Sequence, residues 1–141
     1  MLLVVEANIV FQVLIKRGFI LRLIKFLARA GVKLRSPEFL LREIEKREER
    51  LLRYSGLGKA ELGFIIKLLL KKIELVPESK YSEFLPDALE IFPHHAKDAS
   101  YFALALSSKE FTLWSDEKRH KRQGKVNVVS TSDIKKLFGI E

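Results

Sequence analysis

The chain has 141 residues, of which 48% are hydrophobic and 31% charged, so a disordered chain is excluded and one globular domain over residues 1–141 is expected. Cysteine is absent, which excludes disulfides, thiolate nucleophiles and cysteine-ligated zinc. Lysine and arginine number 26 against 18 acids, and the net charge of +8 favours a polyanionic partner such as nucleic acid. No apolar run approaches the length of a membrane span and no basic signal-peptide region begins the chain, so we expect a cytoplasmic protein without a membrane partner.

The first apolar stretch is Leu2–Val5, which has no polar alternation and stops at Glu6. Such a run is typical of a strand that is covered on both faces, and it predicts a central parallel strand. Ligands of open parallel sheets bind beyond the carboxyl ends of the strands, which makes Glu6 a candidate site residue. The alternative is that Glu6 only stabilises the N-terminus of the helix that follows.

Helices and strands alternate along the rest of the chain. Helices are predicted over residues 9–15, 19–30, 37–54, 59–72, 81–92 and 99–108, with a last one from about residue 130, and further strands over residues 32–34, 73–77, 111–114 and 126–129. Ser36 and Pro37 are predicted as the N-cap and first residue of the third helix. Strands separated by helices, with no hairpin signal, predict a single-domain three-layer α/β/α fold around a mostly parallel sheet of four or five strands.

Four acids occupy comparable positions in this scheme. Glu6 and Asp116 each end a strand, Asp98 begins an apolar helix, and Glu43 borders the core-facing stripe of its helix. We hypothesise that the four carboxylates converge on one pocket. Each also has a simpler alternative, as a helix N-cap for Asp98, a turn acid for Asp116 and a solvated charge for Glu43.

Packed carboxylates raise one another's pKa and stay ionised together only if a cation offsets their repulsion. Oxygen ligands without cysteine select Mg²⁺ or Mn²⁺. Such ions activate water and neutralise the leaving oxygen in phosphodiester hydrolysis. The four acids are therefore predicted to be both metal ligands and catalytic residues.

Several segments together resemble the PIN-domain family of metal-dependent ribonucleases, which includes VapC-like toxins. The matching segments are residues 4–8, 36–43, 97–106 and 113–116. The resemblance implies that Glu6, Glu43, Asp98 and Asp116 bind the metal, and that Asn8 and Ser115 support the site by hydrogen bonds. It also implies an endoribonuclease that hydrolyses RNA, a small antitoxin as a protein partner in the toxin version, and a homodimer.

The first motif departs from the family, because Glu6-Ala7 stands where Asp-Thr or Asp-Ser is usual. Glutamate reaches one methylene further and Ala7 lacks a hydroxyl, and a displacement of about 1 Å can cost about a hundredfold in rate. The alternative to an active nuclease is therefore a weak or inactive PIN-like module that binds RNA or a protein without cleaving it.

A basic segment follows Asp116, and its closeness to the predicted pocket favours phosphate contacts. The residues predicted to bind nucleic acid are Lys118, Arg119, Lys121 and Arg122. The alternative is a solvated basic loop. The histidines, including His120, show no spacing typical of a zinc site.

Overall fold

The computed structural model describes residues 1–16 and 18–140. Within these residues five strands form one sheet, in the spatial order β3-β2-β1-β4-β5. The strands are β1 Leu2–Val5, β2 Lys33–Pro37, β3 Ile73–Val76, β4 Phe111–Trp114 and β5 Val128–Val129. Every neighbouring pair is parallel, so the prediction of a parallel α/β sheet is confirmed, with β1 at its centre.

Helices connect the strands, as the alternation of the sequence predicts. Those in the described ranges are α1 Ala7–Lys16, α2 Phe19–Arg29, α3 Phe39–Lys46, α4 Glu48–Ser55, α5 Lys59–Lys72, α6 Leu85–Ile91, α7 Ala99–Leu106, α8 Lys118–Lys121 and α9 Thr131–Leu137. No helix within the described ranges combines the length and the apolar character that crossing a bilayer requires.

The core lies between the sheet and its helices. Val4 and Val5 are fully buried because β1 is covered on both faces, which explains why its sequence has no polar alternation. Helix α7 contacts β1, β2 and β4, and its residues 99–105 are all buried. Its three alanines let the helix approach the sheet closely, which brings Asp98, at the start of α7, toward the end of β1.

Two predictions about the third helix are wrong. Ser36 and Pro37 belong to β2, where the Ser36 hydroxyl donates a hydrogen bond to the Val5 carbonyl at 3.0 Å. The sheet thus uses the hydroxyl that was expected to cap a helix. The helix predicted over 37–54 is also divided into α3 and α4 at Arg47, whose backbone leaves the helical region with φ −105° and ψ 9°.

Smaller corrections concern the end of the chain. The basic segment predicted as a loop contains the short helix α8, and β5 begins at Val128 rather than at Val126. The last helix begins as predicted, because the Ser130 hydroxyl accepts the Asp133 N–H while the Asp133 carboxylate accepts the Ser130 N–H. This reciprocal pair satisfies two N–H groups that the first turn leaves unpaired.

Candidate active site

The candidate site lies where β1 and β4 end side by side. The Glu6 N–H donates to the Trp114 carbonyl at 3.1 Å, so the residues that follow the two strands are adjacent. The chain builds β2 and β3 on one side of β1 and β4 and β5 on the other. The β1–β4 edge is therefore the point of the sheet at which the strand order reverses, where α/β folds form their ligand-binding crevice.

Glu6 is a buried carboxylate with only 4% of its surface exposed, and it accepts the Asn8 N–H at 3.0 Å. The pKa of Glu6 is raised to about 8, chiefly by burial, although the Asn8 hydrogen bond opposes the shift. Further carboxylates raise this pKa as well, namely those of Asp98, Glu43 and Glu117. Glu6 is thus coupled electrostatically to three acids from three other segments.

Glu43 reaches the same region from α3. It is buried, and its carboxylate accepts a 2.5 Å hydrogen bond from the Tyr101 hydroxyl of α7. Burial raises the pKa of Glu43, while the bond from Tyr101 and the charge of Arg47 lower it and Asp98 raises it. The pKa of Tyr101 is raised by burial and by the Glu43 carboxylate, so Tyr101 remains a fixed phenol donor to Glu43.

Asp98 precedes α7 and is also buried, but its side chain does not cap that helix. One carboxylate oxygen instead contacts the Arg119 guanidinium at 2.6 Å and His120 Nε2 at 3.1 Å. Burial raises the pKa of Asp98, but the hydrogen bonds from His120 and Arg119 outweigh it and the pKa falls below its ordinary value. His120 is fully buried, and its Nδ1 lies 2.7 Å from the Ser115 hydroxyl.

Glu117 is the fourth acid of the cluster. Its carboxylate accepts hydrogen bonds from Arg119 at 2.6 Å and from the Asn8 side-chain amide at 3.2 Å. Its backbone N–H donates to the Ser115 hydroxyl at 3.1 Å. The structure therefore brings Asn8 and Ser115 next to the cluster, as contacts of Glu6, Glu117 and His120.

Asp116 points to a different part of the same edge. Its carboxylate is exposed and accepts the Thr131 N–H at 2.7 Å and the Thr131 hydroxyl at 2.8 Å, with a longer contact to Gln12 at 3.4 Å. Thr131 begins α9 and its hydroxyl also accepts the Trp114 indole N–H. These contacts place Asp116 at the join of β4 and α9, whereas the acids with the largest effects on the Glu6 pKa are Asp98, Glu43 and Glu117.

The four basic residues divide into two pairs. Arg119 is bound by Asp98 and Glu117, and Lys121 pairs with Asp133 of α9. Lys118 and Arg122 are exposed and line a shallow cavity of about 530 Å³ whose wall includes Asp116 and Glu117. Lys118 and Arg122 thus place two exposed cations beside Asp116 and Glu117.

The acids have the chemistry of ligands for a divalent cation, but their present arrangement is not that of a metal site. Their oxygens are the hard ligands that Mg²⁺ and Mn²⁺ prefer. Burial, with smaller contributions from the neighbouring acids, raises the pKa of Glu6, and a nearby cation would lower it. Within residues 1–16 and 18–140, however, no three Asp, Glu or His side chains stand together as a ready metal site. Arg119 supplies the positive charge there by joining Asp98 to Glu117.

Glu117, Tyr101, His120 and the pairing of Arg119 were not expected from the sequence. Two adjacent acids, Asp116 and Glu117, follow Ser115. Which of them faces Glu6 depends on the path that the backbone takes after β4. Between Ser115 and His120 the chain passes through a loop and one helical turn. Sequence periodicity therefore does not predict that the His120 ring contacts Asp98. Tyr101 lies three residues after Asp98 on a helix that is buried on all sides. In the sequence, such a tyrosine looks like any other core residue.

The raised pKa of Glu6 predicts a pH-dependent stability in metal-free protein. Between pH 4.5 and about 8 the folded chain retains a proton that the unfolded chain has lost, so the free energy of unfolding falls as pH rises. Glu6→Gln removes this contribution. Its stability advantage over wild type should grow across that window to on the order of 4 kcal/mol and then level off.

Thermal and urea unfolding in EDTA at a series of pH values measure this difference. Glu45→Gln removes an exposed acid of α3 and serves as the control, with an advantage that stays near zero at every pH. A Glu6→Gln advantage independent of pH would show that Glu6 is ionised in the folded chain.

The comparisons with known proteins agree with this architecture. A family model described as PIN domain matches residues 4–135. A chain of the crystal structure of VapBC2 from Rickettsia felis bound to a DNA fragment from their promoter superposes with a TM-score of 0.72 at 13% identity, covering 92% of this chain and 98% of that one. A comparison with curated protein sequences gives no significant match.

Proposed function

This chain belongs to the PIN-domain family, and on that basis we propose that it is a Mg²⁺- or Mn²⁺-dependent endoribonuclease. The observation that carries the proposal is the meeting of four acids from four segments at the β1–β4 edge, where burial, and after it the charges of the other three acids, raise the pKa of Glu6 to about 8. Burying several carboxylates together destabilises a fold, and Arg119 offsets part of this cost through its contacts with Asp98 and Glu117. A bound cation and a phosphodiester would turn the cluster into a working site.

The proposed metal ligands are Glu6, Glu43, Asp98 and Glu117, and Asp116 remains a predicted ligand to be tested against Glu117. When bound, the ion supplies positive charge to the phosphodiester and lowers the pKa of a water. The protein's own part is orientation. Tyr101 fixes one oxygen of Glu43, and His120, held by Ser115, fixes one oxygen of Asp98.

Substrate binding is proposed to use the exposed cations beside the acids. Lys118 and Arg122 line the cavity that contains Glu117 and can pair with phosphates on either side of the scissile bond. Arg119 and Lys121, which the sequence also suggested, would join them after leaving their present partners. The net charge of +8 gathers the polyanion to this surface.

Arg119 is expected to compete with the divalent cation for Asp98 and Glu117. Arg119→Gln should tighten Mn²⁺ binding about tenfold, because both carboxylates lose a charged partner worth about 1.5–3 kcal/mol per hydrogen bond. The same change should lower the melting temperature in EDTA. Calorimetric Mn²⁺ titration and thermal unfolding measure the two effects.

Arg122→Gln is the matched control for this prediction, since Arg122 lines the same cavity but is exposed. It removes the same charge from the same field without freeing an acid. Equal Mn²⁺ affinities for the two variants would show that Arg119 acts only through the general potential.

We propose further that the protein works in the cytoplasm as the toxin of a toxin–antitoxin pair. The support is the fold shared with a chain of VapBC2 from Rickettsia felis, whose structure is bound to a DNA fragment from their promoter. A small antitoxin that covers the acids, and a homodimer, are the proposed protein partners. Co-purification of a small protein with the chain from its native host, and the mass of the complex, would test both.

The second candidate function is a PIN-like module that binds RNA without cleaving it, favoured by the Arg119 bridge across Asp98 and Glu117. Incubating RNA with wild type and Glu6→Asp over a Mn²⁺ series separates the two. Cleavage by wild type supports the enzyme. If Glu6→Asp cleaves RNA and wild type does not, although both proteins bind it, the module is supported. The loss of activity is then due to the longer side chain of Glu6.

A further inference from the structure

A groove between α1 and α4 lies next to the acid cluster and has no role in the function proposed above. Its cavity is about 290 Å³, the lower limit for a small-molecule site and enough for one planar ring system. The floor is apolar and includes the buried side chains of Phe11 and Leu51. Lys16, Arg47 and Arg50 surround this floor, and no residue described as lining the groove is acidic.

Tyr54 provides the wall of the groove, and it is the feature that suggests a ligand. It lies in the last turn of α4 with 59% of its surface exposed, although a ring of this size normally contributes to a core. An exposed tyrosine beside an apolar floor offers a stacking surface for a flat aromatic group. The three cations beside it favour a group that carries negative charge.

The groove continues into the acid cluster. Asn8 and Gln12 line both the groove and the cavity that contains Glu117, so one turn of α1 separates the two spaces. Arg47 joins them on the other side. Its guanidinium lies 4.8 Å above the Phe11 ring, and its charge acts on the Glu43 carboxylate. Because Asn8 and Gln12 border both spaces, an RNA strand bound at the acids can continue into the groove.

We propose that this groove is a nucleotide subsite, in which an unpaired base of single-stranded RNA stacks on Tyr54 while its phosphate contacts Arg47 and Arg50. The proposal rests on the endoribonuclease function and assigns one nucleotide of the substrate to this groove. A paired base cannot enter, because its faces are covered by its neighbours in the helix. Stacking on an aromatic ring with cations along the backbone is the general mode of single-strand binding.

Binding of a short fluorescent single-stranded RNA in EDTA tests the subsite without requiring cleavage. Tyr54→Ala should weaken binding about tenfold, the loss that one base–aromatic stack corresponds to, and Tyr54→Phe should keep wild-type affinity. Arg50→Gln should reduce the slope of log affinity against log salt by about 0.7. Arg53→Gln, an exposed change on the same helix outside the groove, should leave the slope unchanged.

A set of RNAs with one abasic nucleotide at each position identifies the stacked base. In wild type one position should show a loss comparable to that of Tyr54→Ala, and in Tyr54→Ala that loss should disappear. The same variants assayed for Mn²⁺-dependent cleavage should show a raised KM with kcat nearly kept for Tyr54→Ala, since Tyr54 does not contact the acids.

Several outcomes would overturn the subsite. If wild type binds and cleaves RNA and Tyr54→Ala is indistinguishable from it, the groove is not used while the ribonuclease function stands. If Tyr54→Ala keeps RNA affinity but changes the mass of the particle in solution, or loses a co-purifying protein, the groove belongs to a second copy or to that protein. If wild type neither binds nor cleaves RNA, the proposed function itself fails and the subsite with it.

Discussion

Asp98→Asn should lower Mn²⁺-dependent RNA cleavage by more than about a hundredfold, the upper end of the losses seen when residues behind a metal ligand are removed. Asp98 is buried, and its pKa is lowered by His120 and Arg119, so it is ionised throughout the neutral range. Asparagine keeps the shape of the side chain but removes the charge that offsets a cation. Initial cleavage rates over a Mn²⁺ series measure the loss.

Two controls keep this prediction specific. Asp87→Asn removes an exposed acid of α6 and should leave the cleavage rate within about twofold, since surface charges this far from the site have little effect. Circular dichroism melting of Asp98→Asn separates lost chemistry from lost fold, because Arg119 also loses a charged partner. A folded Asp98→Asn protein that still cleaves at the wild-type rate would remove Asp98 from the proposed metal site.

Glu117→Gln should mainly lower the cleavage rate, whereas Asp116→Asn should mainly lower the stability. Glu117→Gln should lose about a hundredfold in cleavage, because Glu117 is coupled to Glu6 and shares Arg119 with Asp98. Asp116→Asn should keep cleavage within about fivefold. It should instead cost about 1 kcal/mol of stability, because its carboxylate accepts both the N–H and the hydroxyl of Thr131 where α9 begins.

The pair decides which of two adjacent acids belongs to the site. Each variant is assayed for cleavage rate, calorimetric Mn²⁺ affinity and melting temperature, and each serves as the control for the other. Loss of cleavage and Mn²⁺ affinity in Asp116→Asn, with its melting temperature kept, would establish Asp116 as the ligand that the sequence predicted. It would also mean that the Thr131 contacts open when a cation binds.

Much of the fold follows from local sequence signals. The apolar run before Glu6 predicts a strand buried on both faces, and β1 is the central strand. The apolar run that follows Asp98 predicts a buried helix, and α7 is buried against the sheet as expected. These predictions succeed because hydrophobic patterning reports burial directly.

The remaining features depend on contacts between distant segments. Ser36 and Pro37 have the sequence of a helix start, yet their pairing with β3 makes them the end of a strand, since tertiary contacts outweigh capping preference. Which acid after Ser115 turns inward, and the return of His120 beneath Asp98, depend on the path of the chain after β4. One-dimensional spacing carries no information about that path.

The chemical ends left on RNA after Mn²⁺-dependent cleavage test the central claim most directly. Hydrolysis by water at a carboxylate-held cation leaves a phosphate on one side of the cut and a free hydroxyl on the other, with no 2′,3′-cyclic phosphate. We predict such ends for wild type, no cleavage in EDTA, and their loss in Asp98→Asn. Cleavage that persists in EDTA, or that leaves cyclic phosphates at equal rates for wild type and Asp98→Asn, would contradict a metal-dependent site built from these acids.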